Sequence, residues 1–195
     1  MTTTRSDSPP LAQMDITFAP FTQDHLSEGL RLSQAVSWPH RAEDWALTLS
    51  VSEGVVALAG GQVVGTALCS SFGGVAAMNM IIVDAAMRGR GMGRALMERA
   101  MALGNGCEMR LVATPDGLPL YEKLGFKATG RILQHQGIAR ATTPERPVST
   151  GTPDDIARLA QMDKAASGLS RKTLLATIAA GGEVLTLEDG FAMVR

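Results

Sequence analysis

The chain has 195 residues, of which 45% are hydrophobic and 19% charged, enough apolar material to bury a core and too apolar a mixture for a disordered chain. A formal net charge of −1 gives nothing for nucleic acid or an anionic membrane surface to attract. The two cysteines, Cys69 and Cys107, sit in strand-like runs without metal-ligand spacing, so no metal is expected and a reduced, cytoplasmic protein is the natural reading.

Residues 1–14 have no apolar core and read as a flexible tail, not a signal peptide. Asp15 to Phe21 predicts a first strand. Thr22 or Asp24 can cap a helix carrying Leu26, Leu30 and Leu32. The connector Ser37-Trp38-Pro39-His40 leads to a second helix, from about Arg41 through Trp45, Leu47 and Leu49. Between Glu53 and Asp84 there is no charged residue, which raises the question of a membrane span. Gly60-Gly61-Gln62, Ser70 to Gly74 and Asn79 interrupt that run at strand-length intervals, and valine is abundant. Three buried strands are therefore expected and no membrane partner: Val55–Ala59 and Val63–Cys69 as a hairpin about Gly60-Gly61, then Val75–Val83.

That last strand runs into Arg88-Gly89-Arg90-Gly91-Met92-Gly93-Arg94, followed by a helix with Met92, Leu96, Ala100 and Leu103 on one stripe. A strand, a glycine-rich loop and a helix start make a place to hold phosphate. The first N–H groups of a helix have no intrahelical partner, its dipole favours an anion, and glycine lets a ligand approach the backbone. The dinucleotide fingerprint fails in both registers, because Arg94 or Leu96 falls where Gly or Ala is needed. The P-loop fails for want of Gly-Lys-Ser/Thr. A turn with no ligand is the plain alternative.

Beyond the helix, Glu108–Ala113 predicts a short strand and Pro115-Asp116-Gly117 opens a short helix with Leu118, Leu120, Tyr121 and Leu124. Gly125 ends that helix, and Phe126 to Leu133 reads as a last strand. The order β-α-α-β-β-β-α-β-α-β is a mixed α/β layout with one parallel crossover through the glycine loop. Residues 15–140 form this domain, and 141–153, rich in Thr and Pro, a linker. Residues 154–195 begin the pattern again: Asp24 meets Asp154 and Arg41 meets Arg171 at an offset of 130, and Gly61 meets Gly190 at 129. This second unit is expected to be two helices and a hairpin, without a glycine loop. Its unpaired sheet edge makes a homodimer one possible assembly.

The stretch Val83-Asp-Ala-Ala-Met-Arg88-Gly89-Arg90-Gly91-Met92-Gly93 resembles the coenzyme A signature of the GNAT acyltransferase superfamily. Leu120-Tyr121-Glu122-Lys123-Leu124-Gly125-Phe126 is similar to the family's Tyr-x-x-x-Gly-Phe segment. Ala85 stands where the family often has Pro, and Thr114 and Gly117 where many members have Asn and Ala. The resemblance implies the GNAT fold and acetyl-CoA as co-substrate. It places the pyrophosphate on the backbone of Arg88, Gly89, Arg90, Gly91, Met92, Gly93 and Arg94, and the pantetheine along Ile81, Ile82 and Val83, with Thr114 and Tyr121 also at the cofactor. A backbone N–H around Val83 would polarise the thioester carbonyl.

Tyr121, the only tyrosine, is then the general acid for the departing thiolate; the competing reading is a ring that only packs. No base stands out. Asn79 is the one strongly polar residue of its strand, and His40, Asp44 and Asp84 lie outside it. The resemblance puts acceptor choice between the first two helices, where Trp38 and His40 would form a wall and Asn79 would add a polar contact; core anchoring is the alternative for the tryptophans. The expected acceptor is a small-molecule amine, with a protein amine as the alternative. A module that binds or senses acyl-CoA without turnover is the reading of a different class.

Overall fold

The computed structural model describes residues 14–135, 137–138 and 140–195. The chain divides into two compact units. One comprises Ala77–Leu111 and the described residues up to Ser70, the other Ser71–Ala76 and Val112–Arg195.

Elements of the first unit are β1 (Ile16–Pro20), a 3₁₀ turn at Gln23–His25, α1 (Leu26–Ala35), α2 (Ala42–Ser50), β2 (Glu53–Ala59), β3 (Gln62–Ser71), β4 (Val75–Val83), α3 (Met92–Leu103) and β5 (Glu108–Arg110). They build a five-stranded sheet in the order β1-β2-β3-β4-β5. The architecture is the expected mixed α/β. The charge-free span forms three sheet strands, and among the described residues no helix is long and apolar enough to cross a membrane. β1 pairs antiparallel with β2 from Ile16↔Ala59 to Pro20↔Val55. The β2–β3 hairpin closes at Ala59↔Gln62 through Gly60 and Gly61, whose φ values of 55° and 83° are what a tight hairpin turn requires.

The core gathers Phe21, Leu32, Trp45, Val56, Val63, Leu68 and Ile82. Trp45 is fully buried in α2 because α1 offers Gly29, where a Cβ would stand 2.8 Å from the indole. Its Nε1–H donates to Ser33 Oγ at 2.9 Å, and the Phe21 ring stacks on it at 5.6 Å. α1 ends in a Schellman motif: Trp38 N–H donates to Ser33 O at 2.9 Å and Ser37 N–H to Gln34 O at 3.0 Å, with Ser37 at φ 58°. On α3 the buried positions are Met92, Leu96, Met97 and Ala100, whereas Leu103 is 39% exposed. The buried stripe therefore stops one turn short of the expectation, before the last turn that leads to Gly104.

Elements of the second unit are α4 (Leu118–Lys123), β6 (Ser149–Thr150), a 3₁₀ turn at Pro153–Asp155, α5 (Ile156–Ser167), α6 (Lys172–Ala180), β7 (Glu183–Thr186) and β8 (Phe191–Val194). β6, β7 and β8 form a three-stranded antiparallel sheet in that order. The order β1 to β3 recurs here at the offset of 130 residues, and the register recurs too: Pro20↔Val55 becomes Thr150↔Leu185. The caps match. Thr22 N–H donates to His25 Nδ1, and Thr152 N–H to Asp155 Oδ2, each at 2.9 Å. The cores are filled differently, since Leu159 and Leu175 replace the Gly29–Trp45 pair, so volume moves from one helix to the other.

In place of Ser33 the second unit has Asp163, 8% exposed, gripped by both guanidinium arms of Arg171, with Nε to Oδ2 at 2.9 Å. Replacing Arg171 by Ala leaves that carboxylate buried without its counter-charge. We expect a loss of about 2–3 kcal/mol, below the full cost for a buried pair because 32% of the Arg171 side chain stays in solvent. Urea denaturation checks this, and a loss below about 0.5 kcal/mol would show that water relieves Asp163.

The strand expected over Phe126 to Leu133 does not form. Phe126 N–H instead closes α4 by donating to Tyr121 O at 3.0 Å, after Gly125 takes φ 93°. β5 ends at Arg110, and Ile132 and Leu133 are 72% and 78% exposed. Alternation alone cannot make a strand without a ladder partner.

Candidate functional site

Leaving β4, the chain is held by Asp84. Its N–H donates to Val64 O at 2.9 Å, and its Oδ1 accepts from Ala86 N at 3.0 Å, shaping a 3₁₀ turn over Ala85–Met87. Arg31 Nη1 stands 3.5 Å from Asp84 Oδ2. Met87 is buried and pins the turn, so Arg88 to Gly91 is presented outward. Gly89 and Gly91 have φ 76° and 79°, and a Cβ on either would meet nothing within 4 Å. Backbone direction, not crowding, requires glycine there.

Gly91 is the N-cap of α3 and offers no side-chain cap. The first amide of this helix with a partner is Ala95 N–H, donating to Gly91 O at 3.0 Å. The amides from Gly89 through Arg94 donate to no acceptor among the described residues. Unpaired N–H groups at the positive end of a twelve-residue helix are a donor set of the kind that favours an anion. Arg88 Nε donates to Val83 O at 3.3 Å and Arg94 pairs with Glu98 at 3.2 Å, while Arg90 borders a hollow of about 310 Å³ shared with Phe18 and Met87. The donor set suits a phosphate or diphosphate.

Upstream, Ile82 is buried in the core while Ile81 and Val83 are half-buried. Met80 has φ 49°, a left-handed kink inside a strand that costs an unbranched residue roughly 1–2 kcal/mol. Its carbonyl accepts from Thr66 Oγ1–H at 2.7 Å. Asn79 Nδ2 donates to Ser70 Oγ at 2.8 Å and to Ala77 O at 3.1 Å, and Ser70 Oγ lies 2.5 Å from Ser52 Oγ. Asn79 Oδ1 is buried with no partner among the described residues.

Trp38 and His40 come together after the Schellman turn. Their rings meet edge-on at 5.6 Å, and His40 also stands edge-on to Trp45 at 6.5 Å. Trp45 is fully buried in the core, and Trp38 is half-buried and packs against that same core. His40 Nδ1 is buried without a partner among the described residues. Asp44 accepts from Arg41 N–H at 2.7 Å and pairs with its guanidinium at 3.1 Å, which commits it to the start of α2. Asp84 is committed in the same way to the turn after β4.

Thr114 and Tyr121 belong to the second unit. Thr114 accepts from Gly117 N–H through both O, at 3.1 Å, and Oγ1, at 3.2 Å, fixing the turn that opens α4. The Tyr121 ring lies over Gly117, where a Cβ would stand 2.8 Å from Cε2 and 3.2 Å from the hydroxyl, and it meets Phe126 edge-on at 6.2 Å. Tyr121 is 7% exposed, and burial pushes its hydroxyl above the ordinary tyrosine range. Glycine at 117 is thus what admits the ring.

Sequence reasoning missed Thr66, Ser70 and Ser52. Thr66 falls inside the strand expected over Val63–Cys69, and Ser70 opens the break expected after it; for Thr66 the available signal was a hydroxyl within an otherwise apolar run.

Residues 51–128 match the acetyltransferase (GNAT) domain family. The uncharacterized N-acetyltransferase YitH of Bacillus subtilis strain 168 is 30% identical over 117 residues, 58% of this chain and 41% of that one. The chain therefore spans less than half the length of this curated relative. A putative acetyltransferase from Pyrococcus horikoshii superposes with a TM-score of 0.76 at 22% identity, covering 92% of this chain and 68% of the other. The aminoglycoside N-acetyltransferase AAC(6')-Iy, solved in complex with CoA, gives 0.51 at 20% identity over 65% of this chain and 97% of its own. At such identities the superpositions show a shared fold.

Proposed function

We propose, for a chain that belongs to the GNAT acetyltransferase family through its residues 51–128, that it moves the acetyl group of acetyl-CoA onto a primary amine by direct attack. The observation that carries this reading is the run of unpartnered amides from Gly89 to Arg94 at the start of α3. Acetyl-CoA, when bound, supplies an acetyl group activated as a thioester. The amides from Gly89 through Arg94 hold its diphosphate, with Arg88, Arg90 and Arg94 adding positive charge. Ile81, Ile82 and Val83 offer backbone groups for strand-like pairing with the pantetheine, and an N–H near Val83 polarises the thioester carbonyl.

By its place in the Tyr-x-x-x-Gly-Phe segment, Tyr121 is assigned protonation of the departing sulfur. The nitrogen–carbon bond forms, the carbon–sulfur bond breaks, Tyr121 gives its proton to the thiolate, the amine's proton leaves to water, and the tyrosinate recovers a proton from solvent. Thr114 is assigned to the cofactor end through the turn it caps. Trp38, His40 and Asn79 are assigned to the acceptor, a small-molecule amine. Asp44 and Asp84 are held in structural hydrogen bonds, so neither is assigned as base, and the amine enters neutral or loses its proton through solvent.

Calorimetry with acetyl-CoA, joined to thiol release over a panel of small amines and peptides, tests the proposal. Saturable binding with amine-dependent release is expected. Binding without release from any acceptor favours the acyl-CoA-sensing alternative. Gly91→Ala forces a Cβ into φ 79° at the cap, so CoA affinity should fall about tenfold while the melting temperature moves little. An unchanged affinity would remove the loop from the cofactor site.

A further inference from the structure

We propose that Thr66 is a positioning residue for the donor site, an inference that rests on the acetyl-CoA reading above. Thr66 lies in the middle of β3, fully buried, with Val63, Val64, Ala67 and Leu68 around it in sequence, all buried. A hydroxyl in such surroundings is unfavourable unless it is hydrogen-bonded. Its proton goes to Met80 O at 2.7 Å. Met80 is the one residue of β4 with a left-handed φ, and it immediately precedes Ile81–Val83. At the other end of that segment, Asp84 N–H donates to Val64 O at 2.9 Å. The stretch assigned to pair with pantetheine is therefore gripped at both ends by β3, by the Thr66 hydroxyl and by the Val64 carbonyl. Between those anchors stands Gly65, where a Cβ would come within 3.2 Å of Ile82 O and 2.7 Å of the Leu96 side chain.

The kink needs a reason to persist. Met80 has no intrinsic preference for φ 49°, so the conformation is held by its surroundings. Releasing its carbonyl lets the chain relax towards extended strand. Side chains and backbone groups alternate along a strand, so a local change at Met80 re-aims the N–H and C=O groups of Ile81 to Val83. Thr66 thus acts on the cofactor through the backbone of β4, without touching it.

The test is a calorimetric titration with CoA of the wild type, Thr66→Val, Thr66→Ser and the double variant Thr66→Val/Met80→Gly, with thiol-release kinetics alongside. Thr66→Val keeps shape and removes the donor; CoA affinity should fall about tenfold, equivalent to ~1.4 kcal/mol, with the KM of the amine little changed. Thr66→Ser keeps the hydroxyl and should stay within about threefold of wild type. Adding Met80→Gly, which adopts positive φ without strain, should recover most of the CoA affinity even though it removes packing. A merely structural threonine would give no such recovery. Should the valine variant not fold, Thr66→Ala replaces it with the same expectation. Equal CoA affinity in the wild type and the donor-less variant overturns the role of Thr66 and leaves the donor site standing. A wild type that does not bind CoA overturns the donor site, and this inference with it.

Discussion

Replacing Tyr121 by Phe is expected to lower turnover by roughly a hundredfold or more while leaving CoA affinity within about twofold. The ring contacts survive the change: Phe keeps the face over Gly117 and the edge-on contact with Phe126 at 6.2 Å, and only the hydroxyl is lost. Burial raises the Tyr121 hydroxyl above its ordinary value of 10.0, so it is fully protonated at neutral pH, as an acid must be. Turnover should accordingly show no loss attributable to Tyr121 between about pH 7 and 9. For stability the sign is the same. A pKa raised in the folded state contributes stability that is complete below the unfolded value near 10, and that is lost as pH rises through the folded value. Gly117→Ala serves as a companion: it retains the hydroxyl but displaces the ring, and should lower turnover while CoA is still bound. Thiol-release kinetics decide the matter, and undiminished turnover in Tyr121→Phe would leave this residue as a packing tyrosine.

Trp45→Ala should cost about 3–5 kcal/mol of folding stability, the range for deleting a fully buried large aromatic. The site cannot collapse to fill the gap. Gly29 has no side chain to move in, and Phe21 would lose its stacking partner at 5.6 Å. Ser33 Oγ, at 0% exposure for its residue, would lose the indole N–H as a donor but keeps its own bonds to Gly29 O and Leu30 O. Because His40 also stands against Trp45, whatever folded fraction remains should show a raised KM for the amine. Urea denaturation with an unchanged m-value checks the first statement. A loss of less than about 1.5 kcal/mol would show that α1 and α2 repack, as the Leu159–Leu175 pair does at the corresponding place in the second unit.

The duplicated pattern shows how different side chains satisfy one backbone plan. Thr22–His25 and Thr152–Asp155 close the same cap with an imidazole and a carboxylate. Asp155 accepts from Thr152 N–H and from Arg158, and these bonds hold its carboxyl below the usual range, while His25 accepts through Nδ1. The plan recurs because it depends on hydrogen-bonding capacity and apolar spacing, which several residue types provide.

Much of the fold was legible in the residues because its signals are local. Gly60-Gly61 supplies positive φ without strain, as a tight hairpin turn needs, Gly125 ends α4 in the same way, and the uncharged run from Gly54 to Val83 breaks at strand-length intervals. The glycine loop was legible too, since Gly89, Gly91 and the helix after them encode an anion cradle without help from distant residues. Phe126 to Leu133 misled because a strand is completed by its neighbour, and no ladder partner meets it among the described residues.

By itself the sequence determined the order of elements from β1 to α4, the glycine-rich helix start and the recurrence of the opening pattern at an offset of 130, all set by short-range spacing. Tertiary structure alone decided that Met80 kinks, that Thr66 holds its carbonyl and that Gly29 admits Trp45. Each of these depends on an atom brought from a neighbouring strand, helix or turn to within a few ångströms, and contacts of that kind exist only once the chain has folded.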